Sequence, residues 1–244
     1  MDYFKETLED YYLKLDELLK IVEFIILQKE LFNTIKLDKK MQKFADPLKN
    51  VINSSVQYNS IIISLYSCFE LFINKMAIAY IKSLTDIYDN YQQLPVKIKK
   101  AHLKKISEFL GGPKRFKGLE ITPQECISNL YHNIVLNKKD KIDVELITHH
   151  QGNFNVDKII EFFENLGIKE INKISKDKEG VRYINKIVEE RNIISHSFMV
   201  VSDRFNIEIN KKEVVEFFKR FGKKLKKILT GEINKLKNKI NLNT

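Results

Sequence analysis

The stretch IVEERNIISHSF, Ile187 to Phe198, places an arginine, an asparagine and a histidine, Arg191, Asn192 and His196, in a segment otherwise patterned as a helix. An imidazole titrates near neutrality and moves protons, and a guanidinium is a permanent cation whose planar fork suits carboxylate or phosphate oxygens. At about 100° per residue, Ile184, Ile187, Val188, Arg191, Ser195 and Phe198 share one stripe, so Arg191 lies on the face expected to be buried. An unpaired guanidinium is costly there, so an acid or a phosphate must meet it. His196 sits about 140° around the helix from Arg191. The two converge only if the helix ends or deforms near Ser195, or if a second chain completes the cleft, which points to a dimeric site.

A partner within the chain is available in IIISLYSCFELFINKMAIAY, where Ser67, Glu70 and Asn74 form a polar line on an otherwise apolar helix. The plain structural account is a Glu70–Arg191 ion pair with His196 as an ordinary boundary histidine. Other motifs are weaker. His149–His150 has no carboxylate or thiol at ligand spacing, so no metal is expected. Gly111–Gly112 lacks the glycine and lysine pattern of a phosphate loop and reads as a helix stop. GxSxG, HExxH and paired-carboxylate signatures are absent, and no cofactor is implied.

Helices must position these groups. Phe4, Leu8, Tyr11, Leu15, Leu18, Val22 and Ile25 recur at four-three spacing and predict a first helix from Asp2 into the mid-thirties. Asp46–Pro47 offers a second start, with the apolar run Val56–Leu84 in that helix or its continuation. A further helix is predicted from Pro95 to the Gly111–Pro113 stop. Thr122-Pro123-Gln124-Glu125 reads as a capping box opening a helix towards Leu136, and NKKDK as a loop. A short helix from Val156 should close at Gly167 in a left-handed C-cap. The motif helix runs from Lys178 to Phe198, MVVSDRFNIEI suggests a small hairpin, and Asn210 and Glu213 are spaced to cap a last helix with the face Val214, Phe218, Phe221, Leu225 and Ile228. The fold class is therefore all-α, a helical bundle with at most a minor β-hairpin after the motif helix. We expect a single domain, with a long N-terminal helix and connector (1–45), a core (46–230) and a basic C-terminal tail (231–244).

A chain of 244 residues with 43% hydrophobic content can bury a good-sized core. No apolar run in the sequence looks like a membrane span, and the N-terminus opens with acids where a signal peptide needs basic residues, so a cytoplasmic location is expected. Cys68 and Cys126 lie far apart and suggest neither a disulfide framework nor a zinc site. The net charge of +10 suits a polyanionic partner such as nucleic acid, although excess charge also serves solubility. Residues 211–239 hold eleven basic and three acidic side chains. Lys211, Lys212, Lys219, Arg220, Lys223, Lys224 and Lys227 are thus candidates for an RNA-binding surface, against the alternative of a solvated helix face.

ERNIISH resembles the signature of the HEPN superfamily (higher eukaryotes and prokaryotes nucleotide-binding): an arginine, a polar residue, and a histidine four to six positions on, filled here by Arg191, Asn192 and His196. The flanking YSCFELFINKM and GNFNVDKIIEFFENLGI are similar to the RiboL-PSP type of bacterial HEPN proteins, over about residues 50 to 230. The resemblance implies an all-α domain, commonly a homodimer, whose two motifs meet and cleave RNA without a metal, leaving a 2′,3′-cyclic phosphate. It implies a toxin or antiphage-defence role, with a possible antitoxin or defence-system partner protein. Some toxins of the superfamily carry a modifiable tyrosine two places after the histidine; Phe198 stands there, which argues against neutralisation by that route. The alternatives are a non-catalytic HEPN module that binds RNA or nucleotide, and a helical interaction subunit with a structural Glu–Arg pair.

Overall fold

The computed structural model describes residues 2–34, 55–112, 116, 119–139, 142–149, 153–197 and 211–242. Among them are eight α-helices and one 3-10 helix, and no strand: α1 (Tyr3–Thr34), α2 (Ser55–Ile87), α3 (Val96–Gly111), α4 (Pro123–Ile134), α5 (Val144–Thr148), α6 (Val156–Asn165), the 3-10 helix (Lys169–Lys176), α7 (Lys178–Ser197) and α8 (Lys211–Asn241). The chain is an all-α bundle. The second start at Asp46, the hairpin after the motif helix and the Asn210 cap fall outside the described residues.

Two compact units share the chain, and α1, α2 and α8 each contribute to both. One comprises Glu9–Leu71 and Asp177–Gly222, and so contains the motif helix α7. Its core forms because the four-three spacing of α1 delivers Tyr11, Leu15 and Val22 to the interior, α2 adds Tyr66 and Phe69, α7 adds Ile184 and Ile187, and α8 adds Phe217 and Phe218. Phe69 meets Phe218 and Phe221 edge-on, with ring centroids 5.3 and 5.4 Å apart. At the rim the Tyr12 hydroxyl donates to the Lys219 carbonyl at 3.0 Å, and Lys219 Nζ pairs with Asp16 at 2.6 Å.

The other unit comprises Met1–Leu8, Phe72–Lys176 and Lys223–Thr244. Here local sequence chemistry sets the boundaries. The Thr122 hydroxyl accepts from the Glu125 amide while the Glu125 carboxylate accepts from the Thr122 amide, completing the capping box. Asp143 and Asn155 cap α5 and α6 through the Leu146 and Lys158 amides. Gly167, at φ 92°, ends α6: its amide donates to the Glu164 carbonyl and the Ile168 amide reaches back to Phe163, a paired closure that needs a left-handed residue. Two elements were not anticipated. α5 is too short for periodicity to register, and the 3-10 helix buries Ile171 and Ile174 on a three-residue repeat.

From Asn59 to Ile87, α2 is long and apolar enough to cross a membrane by length and composition, contrary to the expectation that no run is. It is a core helix: Tyr66, Phe69, Phe72, Ile73, Met76, Ile81 and Leu84 are all buried within the protein. Its last turn is closed by Lys139, whose ammonium donates to the Thr85 and Tyr88 carbonyls.

Candidate functional site around Arg191

Helix α7 opens where the Asp177 carboxylate accepts from the Gly180 amide at 3.1 Å. From there Tyr183, Ile184, Ile187, Val188 and Ile194 point inward, and Glu190 is also buried. Arg191 is half-buried beside this stripe, as is Asn192. Ser195 does not continue the stripe; it is exposed, because the neighbouring Ile194 takes the buried position. His196 lies within the last turn of α7, five residues after Arg191, while its side chain and Phe198 fall outside the described residues.

The Arg191 guanidinium lies over the ring of Tyr66, 5.3 Å from its centroid, and its Nη1 makes a long contact of 3.4 Å to the Asn192 side-chain oxygen. Tyr66 also neighbours Glu70, one helical turn further along α2, and its hydroxyl is one of the groups that pull on the Glu70 carboxyl. Glu70 and Arg191 sense one another electrostatically but form no direct ion pair. Among the described residues no carboxylate pairs with Arg191. Of the polar line on α2, only Glu70 is brought to this group: Ser67 is exposed, and Asn74 is half-buried in the other compact unit with its side-chain oxygen unsatisfied. Tyr66 is the residue that sequence reasoning missed. Its signal was its position four residues before Glu70, on the same helix face.

Burial pushes the Glu70 carboxyl above its ordinary value of 4.5, and the smaller pulls of the Arg191 charge and the Tyr66 hydrogen bond do not reverse this. Between the ordinary value and the raised one, the folded chain binds more protons than the unfolded chain, so this group's contribution to stability falls as pH rises through that window. Glu70→Gln, which has no charge to bury, should therefore show a thermal midpoint that gains on the wild type as pH increases from 4.5 upward. A variant that instead loses ground towards neutral pH would mean that Glu70 serves as a stabilising counter-ion.

The basic candidates on α8 divide. Lys219 is engaged by Asp16 and is only 22% exposed, so its charge is met within the protein. Arg220, Lys223 and Lys227 are exposed and Lys224 is half-buried, and among the described residues no carboxylate pairs with any of the four. Lys211 and Lys212 open α8, and their side chains lie outside the described residues. Further along, Lys226 meets Asp2 at 3.5 Å and Lys235 meets Glu170 at 2.6 Å.

Among the described residues no three His, Cys, Asp or Glu side chains cluster as a metal site. His149 packs its ring against Phe116, centroids 4.8 Å apart. His102 is likewise structural: burial lowers it to about 4, and the neutral ring shares a 3.0 Å hydrogen bond with the Tyr91 hydroxyl. Cys68 is half-buried and Cys126 is buried, and no disulfide joins them.

The family model of RiboL-PSP-HEPN matches residues 22–235, a span that takes in the Arg191–His196 motif, the Tyr66–Glu70 pair and most of α8. The chain belongs to the RiboL-PSP-HEPN family. No curated protein and no solved structure matches it. Membership of the RiboL-PSP-HEPN family directs attention to RNA-related, nuclease-type chemistry.

Proposed function

We propose that the protein is a metal-independent endoribonuclease in which Arg191 and His196 act on a scissile phosphodiester, with Asn192 in support. The observation that carries this reading is the state of Arg191: a half-buried guanidinium on the motif helix, seated on the Tyr66 ring, with no carboxylate ion pair among the described residues to neutralise it. A cation so placed gains most from an anionic ligand.

The chemistry needs no oxidant, no metal and no incoming water. The ribose 2′-hydroxyl loses its proton and attacks the adjacent phosphorus, the bond to the 5′-oxygen breaks, and a proton returns to that leaving oxygen. The products are a 2′,3′-cyclic phosphate and a 5′-hydroxyl. His196 is the proton-transfer group, since an imidazole exchanges protons at neutral pH. Arg191 stabilises the negative charge that grows on the phosphoryl oxygens, and Asn192 orients one of them. Tyr66 and Glu70 act through Arg191, as positioning residues. The exposed cations Arg220, Lys223 and Lys227 of α8 add a phosphate-attracting surface. Regulated RNA destruction of this kind suits a toxin or an antiphage effector, the role that the family resemblance suggests.

The test is direct. Mixed cellular RNA incubated with the purified chain in excess chelator should be cut, and mapping of the ends should give 2′,3′-cyclic phosphates and 5′-hydroxyls. Strict dependence on added magnesium, or fragments ending in 3′-hydroxyl and 5′-phosphate, would require different chemistry and overturn the proposal.

A further inference from the structure

A cleft of about 480 Å³ opens between α3 and α6, in the compact unit that does not contain the Arg191–His196 motif. Its walls follow from helical spacing. On α3, Lys97, Lys100 and Lys104 recur at three- and four-residue intervals, with Lys105 four residues beyond Ala101, and all line the cleft; on α6, Lys158, Glu161, Phe162 and Asn165 are spaced alike and line it from the opposite side. The floor is apolar, built from the buried side chains of Ile147 and Leu166. The turn that brings the end of α6 against α3 is close: a Cβ added at Gly167 would stand 3.3 Å from Lys97 Cβ.

Five lysines and two glutamates line this cleft, a surplus of three positive charges in a concave site. Glu108 is already engaged, at 3.1 Å from Lys105 and 3.9 Å from Lys104. Among the described residues Lys97, Lys100 and Lys158 have no carboxylate partner. Like charges gathered without counter-ions in a concavity oppose folding by mutual repulsion and focus positive potential on the space they enclose. Phe162 adds a half-buried aromatic wall, supported from behind by Phe154 and Phe163 at ring-centroid distances of 5.4 and 5.2 Å.

We propose that this cleft is a binding site for a nucleoside polyphosphate, its phosphates held by Lys97, Lys100 and Lys158 and its base laid against Phe162. The volume matches one ligand of that size. Lysines serve phosphates as mobile point charges, and an aromatic face stacks any base. The Glu161 carboxylate decides against a through-running RNA strand: it would repel a continuous phosphate backbone, whereas it can accept hydrogen bonds from the hydroxyls of a single ribose. The residues of this site all belong to the compact unit that does not contain the proposed ribonuclease motif.

Isothermal titration calorimetry on the full chain at low ionic strength tests this, with ATP, AMP and inorganic triphosphate as ligands. ATP should bind saturably and more tightly than AMP or inorganic triphosphate. The combined variant Lys97→Glu, Lys100→Glu, Lys158→Glu should weaken ATP by about tenfold or more, since each removes a hydrogen bond to a charged group. Because these are surface lysines freed from repulsion, the variant's thermal midpoint should be no lower than that of the wild type. Phe162→Leu should weaken ATP while leaving inorganic triphosphate unchanged, which separates base from phosphate recognition. The same titrations in a His196→Ala background should give the same affinities, so the outcome is independent of whether the chain cleaves RNA. No saturable ATP binding, or an ATP affinity untouched by the triple charge reversal, overturns the proposal. So does binding of a short single-stranded RNA that the charge reversals abolish and ATP fails to displace.

Discussion

His196→Ala should lower the rate of RNA cleavage by about a hundredfold to ten-thousandfold, the range that a positioned acid–base group contributes. The thermal midpoint should change by only a few degrees, since His196 stands in the last turn of α7 and a histidine at a helix boundary contributes little to packing. Arg191→Lys is the companion variant. It keeps the charge but loses the planar fork that matches two phosphoryl oxygens and the flat face that lies over Tyr66, so cleavage should fall by a similar order while RNA binding is largely retained. The homodimer that the family resemblance implies would add a second readout: if two motifs build one cleft, cleavage per protomer drops when the protein is diluted below the dimer's dissociation constant. Wild-type rates in His196→Ala would sink the enzyme reading. Full activity in Arg191→Lys would leave Arg191 a structural cation, and specific activity constant on dilution would confine the site to one chain.

The parts of this fold that the sequence revealed are those governed by neighbours in the chain. The Thr122 capping box, the Gly167 closure and the buried face of α1 each depend on residues within a few positions of one another, and the structure has all three. What the sequence concealed depends on groups distant along the chain. Lys139 looked like part of a charged loop, yet it closes the end of α2, because its ammonium finds carbonyls some fifty residues away. Lys219 looked like part of an RNA track, but α1 supplies Asp16 to neutralise it. The site was legible to the same extent. Spacing alone put Arg191 on an inward stripe and named Glu70 as its neighbour. It did not reveal that Tyr66 stands with them, turning an anticipated ion pair into an aromatic seat with a carboxylate behind it. Nor did it give the buried register at the helix end, where Ile194 displaces Ser195 from the stripe. The lysines of α3 were read as an ordinary helix, because a cleft between two helices has no signature in either one.

Gly180→Ala should destabilise the protein by about 3 kcal/mol, the upper end of the penalty for forcing a methyl group into a packed core. Helix propensity argues for the opposite sign. Gly180 lies in the first turn of α7, and alanine is favoured over glycine in a helix by about 1 kcal/mol. The sign is decided by Phe217. A Cβ at position 180 would fall on the edge of the Phe217 ring, and that ring has nowhere to go: it is 1% exposed, tilted against Tyr183 at 5.7 Å and edge-on to Phe218 at 5.6 Å. Moving it would disturb the aromatic contacts that hold α7 to α8, and through them the start of the helix that carries Arg191. The expected result in chemical denaturation is a lower midpoint at an unchanged slope, meaning lost stability without a change in the surface exposed on unfolding. A paired Phe217→Leu substitution separates the causes. Alone it should be destabilising, through lost volume, but in its presence the cost of Gly180→Ala should shrink, because the smaller side chain leaves room for the methyl group. Gly180→Ala that stabilises the wild type would show that Phe217 does not approach the α7 backbone, and costs that simply add in the double variant would assign the loss to the glycine's own backbone conformation.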